Sequence, residues 1–130
     1  MNIGQAARLS GMSAKMIRYY EEIGLLHSVA RSETGYRLYT AQEIKTLQFI
    51  QHARQLGFSM QAIKDLVGLW KNENRQSAEV KRLTLSHIQQ LNQKIADLQA
   101  MVAVLEHSVN ACADNDASEC EILNHLEYRD

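Results

Sequence analysis

Ser10-Gly11-Met12-Ser13-Ala14-Lys15-Met16-Ile17-Arg18-Tyr19-Tyr20-Glu21-Glu22-Ile23-Gly24 is the stretch on which the reading of the fold turns. Ser13 is a good N-cap, and the apolar spacing behind it predicts a helix to about Ile23, ended by Gly24. Upstream, Ile3 to Leu9 carries a shorter helical pattern, and Ser10-Gly11-Met12 reads as a tight turn. Two short helices joined by a glycine-containing turn describe a helix-turn-helix, whose second helix is the one suited to a DNA major groove. On that helix Lys15, Arg18, Tyr19 and Glu22 share one face, which leaves Met16, Ile17 and Tyr20 nearer the core. Cations on such a face bind phosphate oxygens or guanine edges.

Downstream, Val29-Ala30-Arg31-Ser32-Glu33-Thr34-Gly35-Tyr36-Arg37-Leu38-Tyr39 reads as two short strands about a Glu-Thr-Gly turn, which makes a wing. Arg31, Tyr36 and Arg37 stand beside that turn, where they are expected to reach the phosphate backbone and position the protein without reading sequence. Thr40 and Glu43 form a capping box that opens a helix from Ala41 to about Leu56; Ser59 caps another running to about Trp70.

From Ser77 to about Val109 no glycine or proline intervenes, and Ile88, Leu91, Ile95, Leu98, Val102, Leu105 and Val109 recur in steps of three and four. Such a seam on a rod of roughly 50 Å is too long for so small a head to bury, so it calls for a partner helix. The expected fold is mainly α: a winged helix-turn-helix over 1–75, a dimerisation helix over 76–109, and a loop with a short helix over 110–130. Charge divides in the same place. Residues 1–75 carry ten lysines and arginines against six acidic residues, and 76–130 carry four against nine. A basic head with an acidic tail is compatible with a phosphate-binding head, although so small an excess is weak evidence alone.

No apolar run approaches the roughly 20 residues that span a bilayer, and Met1-Asn2-Ile3-Gly4-Gln5 has neither a basic start nor an apolar signal core. The expectation is a cytoplasmic protein with no membrane partner. Both cysteines, Cys112 and Cys120, lie in the last twenty residues. In a reducing compartment paired thiols are more often a metal or redox site than a staple. The polar loop between them can bring both sulfurs to one ion. Zinc normally takes four ligands, whereas two thiolates suffice for linear copper(I), silver(I) or gold(I). Two unrelated cysteines remain an alternative on spacing alone. His107 and His125 lie near enough to donate nitrogen to a divalent ion, but isolated histidines of this kind are usually exposed helix residues. Asp114, Asp116 and Glu119 lack the spacing of a calcium loop. No pattern of nucleophile, base and oxyanion donors is present, so an enzyme is the weakest reading.

The strings Met16 to Leu26 and Arg31 to Tyr39 resemble the signature of the MerR family of bacterial transcription regulators, and the likeness covers nearly the whole chain. The resemblance implies an antiparallel homodimer on a double-stranded promoter, which on binding metal distorts the DNA for RNA polymerase and so activates metal-efflux genes. The cysteine loop and the segment Arg75 to Arg82 are similar to those of the family's copper-efflux branch. Relatives that sense divalent ions have a third cysteine at the start of the long helix, where this chain has Ser77. By resemblance, Ser77 comes from the partner protomer and lines the metal pocket without binding the ion, one ion per protomer being held by Cys112 and Cys120. Prolines often follow each cysteine in the family; here Ala113 and Glu121 stand instead, which puts loop rigidity in doubt more than ligand identity. Regulation by a divalent metal or by thiol oxidation remains open, as does a non-regulatory cytosolic copper-binding protein.

Overall fold

The computed structural model describes residues 1–26, 30–112 and 120–127. Val29, where the wing was expected to begin, lies outside them, as do Ala113, Asp114, Asp116 and Glu119 of the loop. Six helices and one hairpin follow in order: α1 (Ile3–Ser10), α2 (Ala14–Glu22), β1 (Ala30–Arg31), β2 (Arg37–Leu38), α3 (Ala41–Gln55), α4 (Met60–Lys71), α5 (Ser77–Ala111) and α6 (Glu121–Glu127). The mainly helical architecture read from the sequence is the one observed. The chain divides into two compact units, Met1–Leu83 and Thr84–Asp130, with α5 continuous from one into the other.

Side-chain caps set the helix starts in the first unit. Asn2 accepts from the Gln5 backbone N–H and Gln5 returns the bond, Ser13 accepts from Met16, Thr40 and Glu43 close the expected box, and Ser59 accepts from Ala62. Each cap satisfies an N–H that the first helical turn leaves without a partner. Gly11 ends α1 at φ 72°, a left-handed conformation that costs a glycine little, and this reversal sets α2 against α1.

The apolar faces of these helices meet in one core of Ala6, Met12, Ile17, Tyr20, Leu26, Tyr39, Ile44, Leu47, Ile50, Ala53, Ile63 and Val67. Phe49 and Trp70, with ring centroids 4.4 Å apart and planes 8° apart, stack α3 on α4. Among the described residues the buried hydroxyls of Tyr20 and Tyr39 have no hydrogen-bond partner, and burial pushes both phenols above their ordinary pKa. An unpaired buried hydroxyl carries a desolvation cost of about 1–3 kcal/mol. Tyr39→Phe is therefore expected to leave stability to urea unchanged or raise it by up to about that amount. A loss of stability on denaturation would instead reveal a partner for the hydroxyl.

The wing is a narrow hairpin with Ala30 opposite Leu38 and Arg31 opposite Arg37. Its three-residue loop is closed by Gly35 N–H to Ser32 carbonyl at 2.9 Å and Ser32 N–H to Tyr36 carbonyl at 2.7 Å. Gly35, at φ 86°, takes the left-handed position that such loops require after their first turn. Backbone bonds in both directions between Met1 and Tyr39 tie the base of the wing to the segment leading into α1.

In the second unit α5 supplies the rod. The whole helix has 35 residues, a length of about 52 Å at 1.5 Å per residue. Ile88, Ile95, Leu98, Val102, Leu105 and Val109 are each between 45% and 59% exposed, so the seam finds no cover among the described residues of its own chain. Leu91, the remaining seam residue, is half-buried. Among the described residues no helix is long and apolar enough to cross a membrane.

Candidate nucleic-acid interface and candidate metal centre

The face of α2 that the spacing predicted is present. Lys15, Arg18, Tyr19 and Glu22 are exposed, while Ile17 and Tyr20 beneath them are fully buried. Tyr19 meets the buried Tyr20 ring edge-on, with centroids 5.5 Å apart, so its ring is braced although its surface remains open. Tyr36, 72% exposed at the wing, is the most open large side chain of the set.

The two wing arginines are held rather than free. Arg31 donates from Nη1 to the Gly35 carbonyl at 3.1 Å and so folds back over the wing's own turn. Arg37 donates from Nε to Glu21 Oε2 at 2.7 Å, which joins the wing to the half-buried shoulder of α2. Glu21 carries no signal of this role in the sequence beyond its place on the helix. The partners lie sixteen positions apart, and the only hint was that Glu21 falls between the exposed and core faces of its helix. Beside this pair, an open groove of about 430 Å³ runs between the start of α1 and the wing, lined by Asn2, Ile3, Ser32, Tyr36, Arg37 and Leu38.

Cys112 follows the last turn of α5, its N–H bonded to the Val109 carbonyl at 3.1 Å. Cys120 immediately precedes α6, and its carbonyl accepts the Asn124 N–H at 3.0 Å. The two thiols are half-buried and not joined as a disulfide: their sulfurs stand 2.8 Å apart in a hydrogen-bond contact, far longer than an S–S bond of about 2.05 Å. The bond from Cys112 pulls the Cys120 thiol below its ordinary pKa, and the N–H groups of Leu123 and Ile122 at the start of α6 add to this. Burial and the Glu121 carboxylate oppose the shift but do not reverse it. The thiolate is the form that binds soft metals. Among the described residues no third histidine, cysteine, aspartate or glutamate joins the pair in a metal-binding cluster; His107 and His125 are exposed. Ser77 is the first residue of α5, exposed, and lies in the first unit, whereas both thiols lie in the second. Leu123 and Leu126 of α6 are largely exposed.

Residues 1–68 match a family model described as MerR HTH family regulatory protein, and residues 44–108 match one described as MerR, DNA binding. The chain is 47% identical to a heavy metal-dependent transcription regulator of Rhizobium meliloti over 97% of this chain and 86% of that one. It is 41% identical to the regulator CueR of Escherichia coli over 97% and 93%. Its structure resembles that of the transcription regulator PbrR691 from Ralstonia metallidurans in complex with lead(II), with TM-score 0.84 and 32% identity over 97% and 98% of the two chains.

Proposed function

Because the chain belongs to the MerR family of transcription regulators, which are not enzymes, we propose that it is a cytoplasmic, metal-responsive regulator whose signal is a soft monovalent ion, copper(I) or its congeners silver(I) and gold(I). The observation that carries this reading is the pair of half-buried thiols 2.8 Å apart, one of them held below its ordinary pKa by the other. Two soft, anionic donors suit a two-coordinate monovalent ion and leave zinc, which wants four ligands, undersupplied. Cys112 and Cys120 are the proposed ligands, one ion per protomer. Ser77 of a partner protomer is the proposed neighbour in the pocket, where a hydroxyl adds no third thiolate. The proposed organisation is the one read from sequence: a DNA-binding head over 1–75, a dimerisation helix over 76–109 and a metal loop over 110–130.

At the head, Lys15, Arg18 and Tyr19 of α2 would face the major groove, and Arg31, Tyr36 and Arg37 of the wing the adjoining phosphates of a promoter. Two heads on one dimer suit a pseudopalindrome. A hydrogen-bonded sulfur contact of 2.8 Å leaves no room for an ion, so binding requires the sulfurs to part. A ligand that demands a different arrangement of the loop has unequal affinity for two shapes of the protein, which is what shifting their populations requires. Distorting promoter DNA into the form that RNA polymerase uses costs of order 1–6 kcal/mol, within reach of such a shift.

The test is an anaerobic titration of reduced protein with copper(I) and with zinc(II) under chelator competition, followed by transcription from a metal-efflux promoter with each ion. Tight copper(I) binding at one ion per protomer, with activation that zinc does not match, is the expected result. Equal responses to the two ions would remove the two-coordinate reading. The same sulfur contact favours a second reading, in which the thiols lose two electrons and two protons to a peroxide and close as a disulfide. Activation by peroxide in metal-free buffer would select it.

A further inference from the structure

Arg37 is a cation on the surface proposed to face DNA, yet one edge of its guanidinium is already committed. Nε donates to Glu21 Oε2 at 2.7 Å, the short distance of a charge-assisted bond. The two side chains are unequally placed, Arg37 being 29% exposed and Glu21 18%. The carboxylate therefore stands behind the guanidinium, on the side of α2, while Arg37 also lines the open groove beside Tyr36 and the start of α1. Arginine presents five N–H donors in one rigid plane, and the bond to Glu21 uses one. No other bond of the Arg37 side chain occurs among the described residues, so the Nη donors are left for a ligand.

An isolated acidic residue beside a phosphate-binding surface weakens binding, because its charge opposes the phosphates. Glu21 has the opposite role if its bond is what aims the guanidinium. We propose that Glu21 is a positioning residue for DNA binding: it pins the Nε edge of Arg37 so that the Nη edge faces a backbone phosphate across the groove, and it fixes the wing to α2. Holding a flexible arginine in one rotamer before the encounter removes an ordering cost from binding. This rests on the reading of the head as a DNA-binding unit, and its own signature is a sign that simple charge removal cannot produce.

The experiment measures binding of the full-length protein to a random-sequence 30-base-pair duplex by fluorescence anisotropy across a series of salt concentrations, with Glu21→Ala, Glu21→Gln, Arg37→Ala and the double variant Glu21→Ala/Arg37→Ala. Trp70, the only tryptophan and stacked in the head, reports that each variant is folded. Expected is a 3- to 10-fold loss of affinity for Glu21→Ala despite its lower negative charge. Glu21→Gln, which keeps an acceptor oxygen, should recover part of that loss. Arg37→Ala should reduce the salt slope by about one phosphate contact. The double variant should bind no more weakly than Arg37→Ala alone, since the carboxylate has nothing left to aim. Unchanged or tighter binding by Glu21→Ala overturns the proposal, as does an additive double variant. A wild-type protein with no salt-dependent binding takes down the DNA-binding reading first, whereas a salt slope for Arg37→Ala equal to that of a salt-dependent wild type leaves that reading standing while refuting this one.

Discussion

Cys120→Ser is expected to abolish the proposed copper(I) response while the metal-free protein keeps its fold and its DNA affinity. Cys120 sits at the N-cap position of α6, and its sulfur accepts from the N–H groups of Ile122 and Leu123. Serine is among the best N-caps, so the hydroxyl takes over those bonds and α6 keeps its start. What disappears is one of two soft anionic donors, and a serine hydroxyl does not ionise near neutral pH. Removing even the hydrogen-bond partner of a metal ligand costs about 10–100-fold in affinity. Loss of half the ligand set is expected to exceed a hundredfold, whether read by chelator competition or by transcription. Cys112→Ser should do the same by removing the other donor. If either variant retains copper(I) binding within tenfold of the wild type, the pair is not the site. Because the thiols lie in the second compact unit and the proposed DNA contacts in the first, unaltered DNA binding by both variants separates a lost signal from a lost fold.

The fold and the candidate sites are unequally legible in the sequence. Helix starts were plain, because Ser13, Thr40 and Ser59 are capping residues directly ahead of apolar periodicity, and all three cap as expected. Ends were less plain: α5 runs to Ala111 and α4 to Lys71, each a little past the last periodic residue, since apolar spacing marks the buried face and not the final turn. The exposed face of α2 followed from the three-and-four spacing alone. The Glu21–Arg37 pair did not, because a bond between a helix and a wing depends on how the two pack, and neither residue's neighbours in sequence announce it. The approach of the sulfurs to 2.8 Å is of the same kind: a spacing of eight positions across a polar loop permits contact without requiring it. Nor could spacing tell that Tyr20 and Tyr39 bury hydroxyls without partners, since tyrosine in an apolar pattern says only that the ring is wanted. Two thiolates alone do not separate copper(I) from a divalent ion that finds further donors, and the preference for copper(I) rests on the resemblance at Ser77 as well as on the donor count.

Leu98→Glu should separate the protein into monomers and with them the two half-sites. The seam on α5 is apolar, regular and open: six of its seven residues are about half exposed within their own chain. Burying a leucine side chain contributes about 1.5–3 kcal/mol, and a dimer built on this seam buries each position twice. The substitution forfeits that gain at both copies and adds two carboxylates to an apolar contact, where an unpaired charge is costly. A combined loss of roughly 4–6 kcal/mol corresponds to a dimer dissociation constant raised about a thousandfold or more, at 1.4 kcal/mol per tenfold. Sedimentation equilibrium reads this directly. The effect on DNA follows from linkage: tethered heads bind the second half-site as an intramolecular event, an advantage of about 10²–10⁴ that a monomer lacks. Affinity for a single half-site, by contrast, should be unchanged, and Trp70 emission should report an intact head, because the stack with Phe49 lies in the unit that the substitution does not touch. A Leu98→Glu protein that remains dimeric at the wild-type concentration would mean that the seam is not the interface. A monomer that still binds the full operator at wild-type affinity would mean instead that the two heads do not act together, and the dimer would then have no part in recognising the promoter.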